Sequence, residues 1–403
     1  MGRALRIGIH SPFFGSTLGG GEKYLGGVAE AIRDEFPAHS IELVTPAPVD
    51  EELYRRMLGL DLRGIAMRRA APGNSAATAF MLRRLNQVNS LRRFRNLALA
   101  AQALAASRRF DLFISMVYVI PAVSRARRSL MICQFPYELN GRAGKLWQRE
   151  LRGFDPILCY SDFVGGWILR YWGREATVVN PPIDIPTAEP DWKAKENTIL
   201  SIGRFFAAGH NKRQDLMVRC FRELVDDGLQ GWKLVLAGSV HNDALNAGYH
   251  DSVVQLAQGY PIEIHTAAGH DEIQAMYRTA SIYWHAAGSA AEGSGASAEV
   301  RPVEMEHFGM TSAEAMGHGA VPVVINAGGQ PEVVRDGIDG YLWRSTTELK
   351  SRTLELTEDP ALRQRMGEQG RAGCDRFSRD AFRRGIVSAV RPIIDDLQGP
   401  NRG

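Results

Sequence analysis

The chain has 403 residues, 45% of them apolar and 23% charged, with a net charge of +3 and a mean hydropathy of −0.20. That is more chain than one hydrophobic core ordinarily organises, and the composition excludes disordered and fibrous classes. The longest apolar runs, 97–106 and 112–123, are broken by Gln102, Ser115 and Pro121. Both fall short of the ~20 residues of a membrane-crossing helix. Arg3 leads straight into a strand pattern, so no leader peptide is expected. The four cysteines, Cys133, Cys159, Cys220 and Cys374, form no C-x-x-C pair, and the ten histidines form no H-x-x-x-H pair. A reducing cytosol is therefore expected, and a metal site is not.

In chain order, apolar strand-like runs alternate with amphipathic helical runs, the signature of α/β units with parallel sheets. Strands are expected at 5–10, 41–45, 62–67, 111–115, 129–134, 157–160 and 177–179, with helices at 20–35, 80–106 and 162–171. Residues 180–190 carry four prolines and read as a linker, since neither helix nor central strand persists there. A second alternation places strands at 198–202, 233–237, 262–265, 281–285 and 321–325. Its helices fall at 213–227, 243–258, 271–279, 311–317 and 330–335, and an Ala/Gly/Ser-rich loop at 286–297. A final helix is expected at 378–397, with Ser378 as N-cap and Pro392 as a kink. The expected domains are 1–182, 183–377, and a terminal helix in 378–403. Two such domains in tandem would present two sets of strand C-termini to one cleft, where open α/β sheets bind ligands.

Charge is unevenly spread. Between Arg55 and Arg128 lie fifteen arginines but only Asp61 and Asp111 as acids, a balance of +13 that leaves −10 for the remainder. Such a stretch fits an anionic partner or a set of solvated helix faces. Arg83, Arg84, Arg92, Arg93 and Arg95 fall within the expected helix 80–106, where Arg84, Arg92 and Arg95 share a face.

Three segments carry candidate chemistry. Gly19-Gly20-Gly21 follows the first strand and opens a helix, where glycines admit a ligand and free N–H groups attract anions. The G-x-G-x-x-G spacing and ribose-binding acid of a dinucleotide fold are missing, which demotes a nicotinamide dehydrogenase. Arg204 and Lys212, on a loop after the first strand of the second domain, are placed to hold a diphosphate, or are simply surface cations. Glu306 and Glu314 straddle a loop and a helix start, with Gly309 between them. Thr311-x-x-Glu314 also matches a capping box, a structural alternative for Glu314 that Glu306 lacks.

Together, Gly203-Arg204 with Lys212, His285-Ala-Ala-Gly288, Glu306-His-Phe-Gly309 through Glu314-Ala-Met316, and Val321-Pro-Val-Val-Ile-Asn-Ala-Gly-Gly-Gln-Pro-Glu332 resemble family 4 of the retaining glycosyltransferases, the group 1 glycosyltransferases. The similarity is close over 198–343 and looser before it. It implies a GT-B fold: α/β, two Rossmann-like domains facing across a cleft, with the C-terminal helix crossing back to the first domain. It further implies that Arg204 and Lys212, with Arg213 next in line, neutralise the donor diphosphate. Glu306 would bind hydroxyls of the transferred sugar and Glu314 the ribose. Backbone amides of Phe308, Gly309 and Met310 would contact sugar and phosphates, and Gly20 and Gly21 would close on the donor. Gln134 stands on the acceptor side where many members have histidine, and an amide cannot exchange a proton near neutral pH. That suits a front-face mechanism in which the leaving diphosphate helps deprotonate the acceptor. By motif position His285 and His307 belong near the site as hydrogen-bonding or packing residues.

The expected function is a retaining, metal-independent glycosyltransferase that uses a nucleotide sugar as co-substrate, with no cofactor. Its acceptor would be a glycan, a lipid-linked molecule or another hydroxyl, in polysaccharide or glycoconjugate biosynthesis. The alternatives are a nucleotide-sugar epimerase or hydrolase on the same fold, or a catalytically silent membrane-associated scaffold. The expected location is cytoplasmic, peripheral at the inner face of a membrane through the arginine-rich stretch, with no nucleic-acid partner.

Overall fold

The computed structural model describes residues 3–15, 19–46, 48–69, 101, 103–119, 122–139, 141–289 and 300–399. The chain divides into two units, Met1–Pro181 with Phe382–Gly403, and Pro182–Ala381.

The first unit is built on a parallel sheet of β1 (Arg6–His10), β2 (Ser40–Thr45), β3 (Ala66–Arg69), β4 (Leu112–Tyr118), β5 (Arg128–Phe135), β6 (Ile157–Cys159) and β7 (Thr177–Val178), ordered β3-β2-β1-β4-β5-β6-β7. Parallel neighbours need crossovers, and covered faces make central strands continuous apolar runs. Thus β4 is buried from Leu112 to Val117, and the helix Gly20–Glu35 buries Tyr24, Leu25, Val28 and Ile32 on its way from β1 to β2. In β1, a Cβ at Gly8 would stand 2.4 Å from the Phe110 ring, so only glycine fits there. The helix Arg379–Gln398 starts where the Ser378 hydroxyl accepts from the Ala381 N–H at 3.2 Å, and it contains Pro392. From Phe382 onward it belongs to the first unit: Phe382 packs edge-on against Tyr24, and Arg383 and Arg391 both pair with Glu35.

The second unit holds β8 (Glu196–Ile202), β9 (Lys233–Ala237), β10 (Ile262–His265), β11 (Ala280–His285), β12 (Val321–Ile325) and β13 (Tyr341–Trp343), all parallel and ordered β10-β9-β8-β11-β12-β13. Ile199, Phe221, Leu234, Leu236, Ile282, Trp284 and Val323 are at the centre of its core. In each unit the strand order reverses once, between β1 and β4 and between β8 and β11. Ligands of open α/β sheets bind outside the strand C-termini at that reversal.

Some elements differ from expectation. The strand expected at 62–67 starts only at Ala66, because Gly64 (φ +77°) turns the chain after the buried Leu62. The helices Glu51–Leu58, Gly141–Leu151, Thr346–Glu358 and Pro360–Gly373, and the three-residue β13, were not expected. The proline-rich stretch 180–190 contains no helix and contributes one bridge, Ile183 to Ser378. Of the helix expected at 80–106, only residues 101 and 103–106 are described, and they are helical; Arg83, Arg84, Arg92, Arg93 and Arg95 lie outside the described residues. The loop expected at 286–297 is described to Ser289. Among the described arginines of that basic stretch, Arg55 pairs with Glu52, Arg63 with Asp61, Arg68 with Glu42, Arg125 with Glu150, Arg127 with Asp111 and Arg128 with Asp396. Each of these six thus meets a carboxylate, with Asp111 and Glu42 each shared with a further arginine, Arg3 and Arg6.

Candidate active site

The reversal between β8 and β11 gathers most of the candidate residues of the second unit. Arg204 and Lys212 lie on the loop that leaves β8, and His285 is the last residue of β11. That loop is pinned from several sides. The Gly203 N–H donates to Ala237 at 2.8 Å, and the Gln214 amide donates to the Gly203 and Arg204 carbonyls at 3.0 and 3.2 Å. Asn246 accepts from the Ala207 N–H at 2.8 Å. Lys212 lays its stem over Gly203, where a Cβ would come within 2.7 Å. Arg204 is exposed and pairs with no acid among the described residues. Arg213 has a different fate. It is buried, in left-handed conformation (φ +57°), forked onto Asp215 and bonded to the Ser289 carbonyl. Those bonds commit it to the scaffold, which leaves Arg204 and Lys212 as the candidate cations of this loop.

Lys212 and Glu306 form an ion pair, and the Glu306 carboxylate also meets His285 Nε2 at 3.0 Å. Burial alone would raise the Glu306 carboxyl, but the Lys212 ammonium and then the His285 hydrogen bond hold it well below the usual range. Burial lowers His285, so a neutral ring donates Nε2–H to the carboxylate, and its buried Nδ1 has no partner among the described residues. Close packing fixes the Glu306 loop. The Gly329 N–H donates to the Glu306 carbonyl at 2.7 Å, and Cβ atoms at Gly328 and Gly329 would stand 2.1 and 2.6 Å from the Glu306 and His307 carbonyl oxygens. The Gly-Gly pair is thus explained by backbone approach.

After this loop Gly309 takes φ +111° and caps the helix Met310–Gly317, whose first closed turn is the Ala313 N–H to the Gly309 carbonyl at 3.0 Å. Amides that precede that bond at the helix start favour anions. The Phe308 side chain is buried edge-on against Phe377, so only its backbone is available to a ligand. The capping box, the structural alternative for Glu314 at Thr311-x-x-Glu314, is not formed, because the cap falls two residues earlier, at Gly309. Glu314 instead accepts from the Tyr277 hydroxyl at 3.0 Å, and burial, then the Glu314 charge, keeps that hydroxyl protonated. Fully buried Gln330 lies against Gly309 with both amide atoms lacking a partner among the described residues.

Sequence reasoning did not single out Gln214, Tyr277, Gln330 or His210, whose Nε2 lies 3.3 Å from His307 Nε2. No motif spacing marks them; each matters through a contact distant in sequence.

In the first unit, Gly20 and Gly21 open the helix after β1, with Gly19 as its extended N-cap. A Cβ at Gly21 would stand 2.4 Å from Gln134 Nε2, so the glycine loop and the glutamine meet directly. Gln134 donates to the Tyr160 hydroxyl at 2.8 Å, and Tyr160 packs on Tyr24. Among the described residues no three His, Cys, Asp or Glu side chains are placed to share a metal ion, and no helix is long and apolar enough to cross a membrane.

Residues 186–373 match the family described as glycosyl transferases group 1. The second unit carries a group 1 glycosyl transferase domain. The matched segment of this domain encloses Arg204, Lys212, His285, Glu306 and Glu314. Over 224 residues, 49% of this chain and 46% of the relative, the chain is 28% identical to an alpha-1,3/1,6-mannosyltransferase alg-2 of Neurospora crassa. It is 24% identical over 259 residues, 59% of this chain and 47% of the relative, to a GDP-Man:Man(3)GlcNAc(2)-PP-Dol alpha-1,2-mannosyltransferase of Dictyostelium discoideum. The chain spans about half the length of these curated relatives. Among solved structures, Anabaena Alr3699/HepE in complex with UDP and glucose superposes with a TM-score of 0.66 at 14% identity, covering 96% of this chain and 99% of that one. The sucrose-phosphate synthase of Thermosynechococcus elongatus gives 0.68 at 15% identity, over 97% and 100%. At that identity the likeness establishes the fold: α/β of GT-B type, with two Rossmann-like units in one chain.

Proposed function

We propose that the chain is a retaining glycosyltransferase that draws its sugar from a nucleotide-sugar donor held in the second unit. The observation that carries this reading is the cluster of Lys212, Glu306 and His285 at the β8/β11 reversal, beside Arg204 and a helix start, within a group 1 domain. Cleaving a sugar–phosphate bond builds negative charge on the departing diphosphate and positive charge on the sugar. Arg204 and Lys212 face the first, and donors of this kind typically supply ~3–4 kcal/mol each. These cations do the work a metal ion would otherwise do, so transfer proceeds without one. Glu306, kept ionised by its neighbours, accepts from sugar hydroxyls and offers negative charge toward the developing cation. Glu314, oriented by Tyr277, accepts from the ribose. Gln134, an amide beside Gly21, supplies hydrogen bonds to the acceptor but no general base, so the leaving diphosphate takes the acceptor proton on the front face.

The donor is drawn from UDP- and GDP-sugars, since relatives and neighbours are named with both. The acceptor is a glycan or lipid-linked hydroxyl, as in the name of the Dictyostelium relative. The test is incubation with a panel of UDP- and GDP-sugars and with free and lipid-linked glycans, with and without chelator. A product with the donor's anomeric configuration, formed equally in chelator, supports the reading. Donor turnover with no transfer to any acceptor would favour an epimerase or hydrolase.

A further inference from the structure

The loop that carries Arg204 and Lys212 also carries His210. Its ring stands edge-on to His307, at 87° with centroids 4.4 Å apart, and the two Nε2 atoms are 3.3 Å apart. Nitrogens this close share one hydrogen, with one ring donating and the other accepting. His307 also hydrogen-bonds the Val303 carbonyl, which only accepts, so a neutral His307 spends its proton there. Its Nε2 then offers a lone pair, and His210 donates. The resting pair is neutral: burial, ahead of nearby charges, lowers His210 to about 4 and takes His307 well below its ordinary value.

The groups facing His210, besides His307, are Lys212, Glu306, Arg204 and His285; those facing His307 are His210, Glu306 and Lys212. Beyond burial, Lys212, Arg204 and His285 oppose protonation of the pair, while the Glu306 charge and the Val303 carbonyl bonded to His307 favour it. A diphosphate laid on those two cations would cancel their repulsion and add negative charge beside the imidazoles. A proton on the second ring nitrogen of His210 would then leave the shared hydrogen in place and make that bond charge-assisted.

We propose that the His210–His307 pair is a third, proton-loaded cation of this site: neutral in the empty protein, it takes up one proton as the diphosphate of a nucleotide sugar binds. The inference rests on the reading that the diphosphate lies on Arg204 and Lys212. It assigns His210 as a further ligand-binding residue, with His307 as the residue that positions it.

Calorimetric titration of the full chain with UDP-glucose and with GDP-mannose, without acceptor, in two buffers of different ionisation enthalpy, counts the protons. A nucleotide-sugar diphosphate is doubly esterified and does not titrate near neutrality, so the protons counted belong to the protein. The expected result is net uptake at about pH 6 that shrinks at about pH 8, with affinity falling as pH rises by up to tenfold per unit. His210→Asn, which keeps a hydrogen-bond donor, should still bind but take up almost no proton. Binding without uptake in the wild type overturns the proposal and leaves the diphosphate reading standing. Uptake that persists unchanged in His210→Asn moves the proton to another group, such as Glu306, and equally overturns it. If neither nucleotide sugar binds, the reading and the proposal fall together.

Discussion

Lys212 and Glu306, 94 residues apart in the chain, meet as a largely buried ion pair with side chains 21% and 15% exposed. Removing one partner leaves the other charge uncompensated, the costly case for a buried pair. Lys212→Met should therefore cut sugar transfer by ~100-fold or more and raise the Glu306 carboxyl. Because the folded carboxyl titrates below its unfolded value, its contribution is complete above the ordinary carboxyl range and lost as pH falls through the depressed value. Denaturant unfolding from about pH 6 to about pH 2 should show that loss in the wild type and a flatter profile in Glu306→Gln.

Glu314 does not cap its helix, and its contact with Tyr277 makes a different prediction from the capping box. Glu314→Gln keeps an acceptor for the Tyr277 hydroxyl, so folding stability should change little while donor affinity falls. Glu314→Ala strands that buried hydroxyl and should cost about 1–3 kcal/mol of stability. Equal donor affinity in wild type and Glu314→Gln would remove Glu314 from the ribose site.

The sequence made the strands legible where both faces of a parallel sheet are covered: the expected 233–237 and 321–325 coincide with Lys233–Ala237 and Val321–Ile325, and the half-exposed edge strand Ile262–His265 matches its expected 262–265 through its Ile-x-Ile alternation. Three-residue β13 gives no periodicity to read. The helix Thr346–Glu358 begins with a readable Ser345 cap, accepting from the Glu348 N–H at 3.2 Å, but it buries only Leu349, Thr353 and Leu356. In the site, Arg204, Lys212, Glu306 and Glu314 stand out as charges at strand ends and a helix start. The capping-box alternative at Thr311 is not realised because Gly309, free to adopt positive φ, starts the helix two residues earlier. His210, Gln214, Tyr277 and Gln330 act through tertiary contacts that no local pattern encodes.

The Gly-Gly turn beside Glu306 is a packing requirement with a functional consequence. Gly329→Ala places a Cβ 2.6 Å from the His307 carbonyl oxygen and should displace the Glu306 loop, lowering both melting temperature and donor binding. Gly166, on an exposed helix face with nothing within 4 Å of its Cβ position, is the control. Gly166→Ala should raise stability by ~0.5–1 kcal/mol and leave binding intact.

His10, the last residue of β1, is buried against Phe113 and lies 3.4 Å from the Ser115 hydroxyl; burial lowers it to about 4. The unfolded chain binds that proton near pH 6.5 and the folded chain does not, so stability falls as pH drops from about 6.5 to about 4. His10→Gln should remove up to about 3 kcal/mol of that decline, read by chemical denaturation across the same range.

The central claim, that Arg204 and Lys212 hold the diphosphate of a nucleotide sugar, is tested most directly by thermal shift of the full chain with nucleoside diphosphates and nucleotide sugars. At about 100 times its dissociation constant a true ligand stabilises by about 2.7 kcal/mol. The account predicts a clear upward shift for at least one UDP or GDP compound in the wild type, and its loss in the Arg204→Ala, Lys212→Ala double variant, each shift being read against the same protein's own melting temperature without ligand, which the stranded Glu306 lowers in the variant. No shift with any such compound, or an equal shift in the double variant, would contradict it.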